Sequence, residues 1–358
     1  MQLGRALRVA PLAALALALP ARGDNTFVSK VQVYADSDHT TVVSPLVQGT
    51  ADVTPATSVS LGYTADVVSS ASVDVMTQAS KTRIHDTRQQ ASGGFTHAFG
   101  SLSWHANYIF SHENDYLSNS VATGFDKELF DKNTTLSVGY SLSLNDVGRA
   151  HDDNFSRSLT VNDFTAAWTQ ILSPTWIAQL TYELTDASGF QSSPYRFVPV
   201  RESVDAVPEF WVMETDPDQR WRHALVVAAN HALGETSSIQ GDYRIYHDTW
   251  GITSSTIGAR YFVHLAPALE LRLRERFYTQ GAATFYQESY ASVQKYMTYD
   301  RELSALWSET FGAALFYAIT PRLEAEAKAD VFYYSYSEFA PLASRTGTNV
   351  GLGLTLTY

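Results

Sequence analysis

Three arginines in the stretch LELRLRER, residues 269–276, stand at every second position. Arg272, Arg274 and Arg276 alternate with apolar neighbours such as Leu271 and Leu273. A guanidinium group presents a fixed fork of N–H donors that pairs well with carboxylate and phosphate oxygens. Three such groups on one face of a strand predict either ion pairing with nearby carboxylates or recognition of charged solutes.

Carboxylates that can form ion pairs with these arginines follow in RLEAEAKADVFYYSY, residues 322–336. Apolar and charged side chains alternate there in the same way. The segment between the two, SALWSETF, turns small side chains to the shared face, and strands two apart are separated by roughly 10 Å, which Arg and Glu can span together. We therefore predict an ion-pair lattice that either stiffens a wall or selects charged solutes. Its members are Arg272, Arg274, Arg276, Glu324 and Glu326. Further charges predicted on the same wall are Asp242, Arg244 and Arg260.

Catalytic residue types are present but form no recognisable motif. The 10 histidines are scattered, and neither an H-E-x-x-H nor a G-x-S-x-G motif occurs. His105 and His112, or His247 beside Asp248, are the candidates for a chance catalytic pair. Lone histidines in such strands more often serve as hydrogen-bonding residues, so we expect no enzyme and no cofactor.

Acidic residues on and near the hairpin YADSDHTT offer oxygen ligands for a hard cation. The candidates, at one rim of the predicted fold, are Asp36, Asp38, Asp66 and Asp74. The alternative is that these carboxylates are only solvated. Cysteine is absent, which excludes thiolate metal sites and disulfides.

The elements that must position these groups are β-strands with two different faces. TWIAQLTYEL (175–184) and SLSWHANYIF (101–110) alternate apolar and polar side chains, which is typical of strands. About sixteen such segments, within a range of 14 to 18, are expected between residue 26 and the end of the chain. Short connections, such as FGS and LSPT, alternate with long polar ones. This order predicts an all-β fold, a transmembrane antiparallel barrel with short periplasmic turns and long extracellular loops.

Aromatic residues near the strand ends favour a membrane barrel over the alternative of a soluble β-sandwich. The chain has 7 Trp, 20 Tyr and 18 Phe, and bilayer interfaces are rich in such rings. The aromatic residues closest to predicted turns or strand ends are Trp104, Trp168, Trp176, Trp221, Trp307 and Tyr358. A closed barrel also removes the open sheet edges that hydrocarbon cannot solvate.

Residues 1–23 are predicted to be a secretory signal peptide, because Arg5 and Arg8 precede a short apolar run that ends at small residues. Residues 24–358 are then a single barrel domain. The formal net charge of −12 becomes about −15 once Arg5, Arg8 and Arg22 are removed with the leader. Such a negative chain is not suited to nucleic acid as a partner.

Four stretches resemble motifs of a known family. They are YTADVVSSASVDVMTQAS (63–80), GFQSSPYRFVPV (189–200), GDYRIYHDTWGITSST (241–256) and RERFYTQGAATFY (274–286). They are similar to a bacterial outer-membrane family catalogued as a domain of unknown function, DUF3570. The resemblance implies a β-barrel and brings no biochemical activity. The ending LTLTY is similar to the signal that barrel-assembly machinery recognises. The expected partners are that machinery and the lipid and lipopolysaccharide of a Gram-negative outer membrane.

Two irregular segments are interpreted separately. Residues 187–219 are long for a loop, which predicts function or disorder. Their candidate constriction residues are Tyr195, Arg196, Arg201 and Trp211, with the two arginines expected to meet wall carboxylates. The alternative is a surface cap that packs on other loops. Residues 66–80 are either a short helix or an extension of the third strand.

Two functions remain open at this point. One is a porin-like channel or transporter for small polar or charged solutes. The other is a non-conducting barrel that serves as a scaffold or receptor for periplasmic or surface partners. Conductance separates them, because only the first requires an open lumen.

Overall fold

The alternating segments pair edge to edge into a closed antiparallel barrel in the computed structural model, which describes residues 25–70 and 84–358. The first barrel strands are β1 (Thr26–Asp36), β2 (Thr40–Thr54), β3 (Thr57–Ser70), β4 (Ile84–Phe99), β5 (Leu102–His112), β6 (Tyr116–Leu129), β7 (Thr134–Val147), β8 (Arg157–Ser173) and β9 (Trp176–Gly189). A separate hairpin follows, formed by β10 (Phe197–Val200) and β11 (Phe210–Met213). The barrel continues with β12 (Gln219–Ala232), β13 (Ser237–Asp248), β14 (Thr253–Ala266), β15 (Leu269–Gln280), β16 (Leu306–Thr320), β17 (Leu323–Tyr336) and β18 (Ser344–Thr357).

Closure is made by the two ends of the chain. β1 pairs with β18 over its whole length, from Thr26 opposite Thr357 to Asp36 opposite Gly347. The ring therefore has sixteen strands and no free sheet edge. The predicted fold class and strand number are confirmed. Within the described ranges, no helix has the length and apolar character needed to cross a membrane.

Connections differ at the two ends of the barrel. At the end that holds both described termini, the turns are tight, as at residues 100–101 and 174–175. At the other end lie the long connections, residues 190–218 and 281–305 among them. We call these the short-turn end and the long-loop end. Residues 287–302 form a loop that leads into a 3-10 turn at Arg301–Leu303.

Alternation places apolar side chains on the outside and polar ones in the lumen. Leu352 is 66% exposed on the outer face, whereas its neighbours Gly351 and Gly353 are turned inward and buried. Large aromatic rings also lie on the outer face near the strand ends. At the long-loop end Trp307 stacks on Phe277 with ring centroids 6.2 Å apart. Such rings match the aromatic girdles of membrane barrels.

Pro45 lies inside β2, which continues to Thr54 although a proline lacks the N–H of a ladder bond. The β2–β3 ladder skips this point, passing from Val43 opposite Val67 to Leu46 opposite Thr64. The gap is local, so the strand continues past it to Thr54. β3 reaches Ser70, so the extended form of residues 66–70 is confirmed. Residues 71–83 and the predicted signal peptide lie outside the described residues.

Candidate functional site

The lumen wall has two unlike halves. The strands β3 to β7 turn mostly small uncharged side chains inward, and we call this half the small-residue wall. Its members include Ser58, Ser60, Gly62, Thr64, Ser92, Gly94, Thr96, Asn107, Ser118, Ser120, Gly124, Ser137, Gly139, Ser141 and Ser143. They leave a shallow recess of about 400 Å³ on the inner surface.

The strands β12 to β15 carry long charged side chains on the same inner face. We call their arginines the arginine track: Arg220, Arg222, Arg244, Arg260, Arg272, Arg274 and Arg276. The carboxylates that these four strands turn inward are Asp242, Asp248 and Glu270. Cations therefore outnumber anions on this part of the wall.

The predicted lattice forms with different partners. Arg274 donates to Asp330 at 2.7 Å from Nε to Oδ1, reaching across β16. This reach requires Gly312 between them, because a Cβ at that position would lie 2.0 Å from Asp330 Oδ1 and 2.8 Å from Arg274 Nε. Small residues on β16 thus let long side chains span the strand, as the sequence predicted.

The predicted glutamate partners of the arginines are wrong. Glu326 pairs with Lys30 of β1 at 2.5 Å, and Arg272 pairs with Glu270 on its own strand. In the strand register, Arg274 of β15 lies opposite Gly312 of β16, which lies opposite Asp330 of β17. Glu326 of β17 lies opposite Phe316, which in turn lies opposite Glu270 of β15. The strand register therefore places the predicted glutamates nearer the short-turn end than the arginines. Glu324, one step further toward that end, has no ion pair within the described ranges.

The other predicted wall charges lie in the lumen as expected from alternation. Arg260 is 3.9 Å from Asp242, and Arg244 is 3.2 Å from Glu183 of β9. Arg276 rests over the ring of Tyr278 on its own strand, with the guanidinium carbon 5.5 Å from the centroid. Between the strands of the track, arginines and carboxylates thus pair only in part.

A recess of about 490 Å³ opens on the inner wall near the long-loop end. Its inward-facing lining consists of Glu183, Thr185, Arg220, Arg222, Ala224, Arg244 and Tyr246. Arg220 donates to buried Asp248 at 2.9 and 2.5 Å and lies over the ring of Trp250 at 4.1 Å. Arg220 and Arg222 were missed from sequence, although RWRH at the start of β12 has the same alternation as LRLR.

The mouth at the long-loop end is filled by two segments, residues 190–218 and 281–305, which we call the cap. The hairpin β10–β11 contributes Val198 and Val200, which are fully buried against Tyr290 and Met297 of the second segment. An isolated bridge joins Thr215 to Met297 with N–H···O bonds of 3.0 and 2.9 Å in both directions. Burial of these apolar side chains stabilises the cap as a small folded unit.

The cap crosses the mouth from one wall to the other. On one side its core packs against Tyr278, Tyr334 and Tyr336, which point into the lumen from β15 and β17. On the other side the Tyr195 hydroxyl donates to Asp115, in the loop after β5. The backbone carbonyl of Pro194 accepts from Arg149 Nε at 3.0 Å, in the loop after β7. These groups of strands lie opposite each other in the ring of sixteen.

The predicted constriction residues lie in this cap, but their contacts differ from those expected. Arg196 pairs with Glu214 at 3.2 Å and with Asp300 at 2.9 Å. Both carboxylates belong to the cap rather than to the wall. The cap supplies its own counter-charges because residues 281–305 fold next to the hairpin. Arg201 bonds Tyr290 and Ser289 through its backbone, and Trp211 is 49% exposed. The alternative of a cap that packs on other loops describes these contacts.

Acidic groups are concentrated inside the cap. Glu214 is buried and accepts from the Thr298 hydroxyl at 2.6 Å and from the Ser193 N–H at 2.8 Å. Asp216 is also buried, and its N–H donates to Ser192 Oγ at 2.7 Å. Burial, reinforced by the neighbouring carboxylates of Glu214 and Asp300, raises the pKa of Asp216 from 3.8 to about 8.

The predicted cation ligands do not come together. Asp38 is buried in an ion pair with Arg301 of the cap. Asp36 accepts from the N–H groups of Asp38 and Thr40, and Asp66 accepts from the Ser44 hydroxyl. Each of these three carboxylates thus has a protein partner of its own.

Asp74 lies outside the described residues. In the described part of the chain, three carboxylates approach within 4.8 Å of one another at a different place, formed by Asp86, Glu113 and Asp115. The sequence gave no information on loop packing, so it did not indicate this group.

The histidine candidates are dispersed over both faces of the wall. His105 faces the lumen 3.5 Å from Asp126, and His247 faces outward with its Nδ1 3.0 Å from the Thr253 hydroxyl. Asp248 instead receives Arg220, so it is not a partner of His247. In the described ranges the imidazole ring of His105 has no hydroxyl partner, so no nucleophile, base and carboxylate are aligned around it.

Comparison with known proteins gives a family and a fold. The sequence model of the family described as "Protein of unknown function (DUF3570)" matches residues 74–349. No curated protein matches the chain.

Two solved structures show the same fold at low identity. A "Bacterial polysaccharide outer membrane secretin" is 9% identical with a TM-score of 0.54, covering 95% of this chain and 100% of that one. CdiB from Acinetobacter baumannii is also 9% identical with a TM-score of 0.54, over 95% of this chain and 61% of that one. The barrel thus resembles bacterial outer-membrane proteins, and neither of the two is described as an enzyme.

Proposed function

The chain belongs to the DUF3570 family, and we propose that it is a channel for small polar or charged solutes in the outer membrane of a Gram-negative cell. The observation that carries this proposal is the arginine track, a row of charged side chains on the inner wall of a wide barrel. Sixteen strands enclose more space than ordinary side chains fill, so the interior is aqueous. A charged wall beside water selects ions by their sign.

Orientation follows from the loops. In outer-membrane barrels the short turns face the periplasm and the long loops face outward. The cap then lies at the external mouth, and the described termini lie on the periplasmic side. Lipid and lipopolysaccharide contact the apolar outer face, and the barrel-assembly machinery inserts the protein.

The cap controls access in this proposal. It crosses the mouth, and its contacts with the rim include the Tyr195 to Asp115 hydrogen bond and the Arg301 to Asp38 ion pair. Opening in this proposal separates the two cap segments at the Thr215–Met297 bridge, so that each segment moves with the part of the rim that it contacts. Loops can move in this way without unfolding the barrel.

The experiment is single-channel recording with the full chain, folded in detergent and inserted into planar bilayers. A matched variant carries Thr215→Cys with Met297→Cys, which is suitable because residues opposite each other at such a bridge have Cα atoms about 5.5 Å apart. Native cysteine is absent, so only this disulfide can form within the chain. We expect opening events in the native chain, their loss on oxidation of the variant, and their return with a reductant.

The Thr215→Cys single variant controls for the substitution itself and should be insensitive to oxidant. A folded native chain without any conductance, together with a reduced double variant that is equally silent, overturns the channel proposal. Folding is checked separately by the shift in gel mobility between boiled and unboiled samples.

The second candidate is a non-conducting receptor or scaffold, and one observation favours it. The cap exposes large apolar side chains, with Val207 at 87%, Trp211 at 49% and Phe210 at 46%. Exposed aromatic groups on a folded surface are typical of protein contacts. Crosslinking on intact cells should recover a partner with the native chain and not with Phe210→Ser and Trp211→Ser if this candidate is correct.

A further inference from the structure

The recess under the cap contains three arginines, and one of them lacks a carboxylate partner in the protein. Arg220, Arg222 and Arg244 line it together. Arg220 is held by Asp248, which also accepts from the Tyr246 hydroxyl and from the N–H groups of Trp250 and Ile252. Asp248 is therefore saturated, and it is buried away from the lumen behind Arg220.

Arg244 has a partner that leaves part of its guanidinium available. A single bond of 3.2 Å joins Arg244 Nη2 to Glu183 Oε2, and both side chains stay partly exposed. Thr185, the other polar group of the recess on β9, donates to Asp163 at 2.5 Å. Asp163 is thereby engaged by Thr185 and by Ser141, at 3.1 Å from the serine hydroxyl.

Arg222 is the unsatisfied group. Within the described ranges it has neither a carboxylate within 4.0 Å nor a hydrogen bond from its side chain, and its Nε is buried without a partner. A guanidinium that is partly desolvated beside two other arginines is unfavourable unless an anion accompanies it. Guanidinium forks fit the paired oxygens of a carboxylate or a phosphate.

We propose that this recess binds an oxyanion, the carboxylate or phosphate group of a small solute, with Arg222 as the principal ligand and Arg244 as the second. The inference deepens the proposed channel function and rests on it for the role of the site in transport. Seven arginines form the track, and this recess is where it reaches the cap, so the site is the first anion-binding point that a solute meets below the mouth.

The recess is also connected to the cap. Arg220 lies over Trp250, and Trp250 packs with Ala283, Tyr286 and Leu303 of the cap. An anion bound at Arg222 therefore lies one side chain away from the surface on which the cap rests. Binding and cap position are coupled through these contacts.

The experiment is isothermal titration of the folded full chain in detergent, with inorganic phosphate as the probe and chloride as the background anion. The test variants are Arg222→Gln and the conservative Arg222→Lys, which keeps the charge and loses the fork. The matched control is Lys30→Gln, which removes the same charge from the lumen on a distant strand. We expect the native chain to bind phosphate saturably and Arg222→Gln to weaken binding about tenfold or more. Arg222→Lys should be intermediate, and Lys30→Gln should retain native affinity within about twofold.

Equal phosphate affinity in Arg222→Gln and the native chain, or no saturable binding by the native chain, overturns the inference. Equal loss in Arg222→Gln and Lys30→Gln does so too, because it indicates only a general charge effect. If Arg222→Gln does not fold, the Arg222→Lys variant alone tests the inference. Native phosphate affinity in Arg222→Lys would exclude recognition of the anion by the guanidinium fork of Arg222. Conductance of the same samples separates the two proposals. Channels without phosphate binding overturn only the inference, and phosphate binding without channels overturns only the channel function.

Discussion

The small-residue wall and the arginine track line the same lumen, yet they satisfy their polar groups in opposite ways. On the small-residue wall, hydroxyls bond to neighbours on the next strand, as Ser120 does with Ser143 at 2.7 Å. On the charged half, Arg274 passes over a whole strand to reach Asp330. Short side chains thus leave space in the lumen, while long charged ones project into it. In the proposed channel, the small-residue wall would provide the space and the arginine track would provide the selectivity.

The largest effect is expected when positive charges are removed from the arginine track. Replacing Arg272, Arg274 and Arg276 by Gln together should lower the preference for chloride over potassium by a factor of about three or more. It should also lower thermal stability, because the buried carboxylate of Asp330 loses its bond from Arg274 and keeps the one to Lys328. Reversal potentials in a salt gradient and heat-dependent gel mobility measure the two effects. Unchanged selectivity together with unchanged stability would contradict both interpretations of the charged wall.

Replacing a glycine by alanine on each wall compares how tightly the two walls are packed around one added methyl group. Gly312→Ala inserts a Cβ into the Arg274–Asp330 pair, whereas Gly139→Ala on the small-residue wall meets its nearest atoms only at 4.0 Å. We expect Gly312→Ala to cost about 1–3 kcal/mol of unfolding free energy and Gly139→Ala to change it by less than about 0.5 kcal/mol. Urea unfolding in lipid vesicles, followed by tryptophan fluorescence, gives both values. Equal effects would mean that the two walls are packed alike.

We expect the cap to respond to pH through one buried carboxyl group, that of Asp216. Because the pKa of Asp216 is raised to about 8 from 3.8, its proton stabilises the closed cap fully below about pH 4. That contribution is lost as the pH rises through about 8. Open probability in planar bilayers should therefore increase with pH over this window. Asp216→Asn should keep the cap closed at alkaline pH and flatten the profile.

Asp205→Asn is the matched control, since Asp205 is exposed in the same loop. It should keep the native pH profile. A native profile in Asp216→Asn would show that another group controls the cap.

The smallest effect is expected on the small-residue wall. Ser120→Ala removes one hydroxyl bond, that to Ser143, at a cost of about 1 kcal/mol or less. Ion selectivity should not change, because no charge is lost. A selectivity change as large as that of the arginine variants would remove the division of roles between the two halves.

The alternation in the sequence was sufficient to predict the barrel and the inward direction of the arginines. In LELRLRER the position of each residue determines whether its side chain faces the lumen or the lipid. The position does not determine which residue an arginine pairs with. A strand shifted by two residues keeps all its side chains on the same faces but places each of them opposite a different residue. Arg274 was therefore correctly placed in the lumen and wrongly paired with glutamate rather than Asp330.

The cap was only partly predictable, for a different reason. Residues 187–219 have aromatic side chains that indicate order, but no periodicity that gives a direction. Val198 is buried against Met297, nearly a hundred positions away, and such pairing leaves no local pattern. Arg222 was not predicted as a lumen residue, because the alternating stretch that contains it begins directly after this irregular segment.

The seam between β1 and β18 has a consequence for biogenesis. Thr26 is opposite Thr357, so the cylinder cannot shut until β1 and β18, the first and last strands of the ring, have met. Bringing such remote ends together is slow, since long-range contacts are entropically costly before they form. Until then the chain carries unpaired strand borders that invite aggregation. Closure of this seam is therefore expected to be a slow step of folding, and the two strand edges stay open to other chains until it is complete.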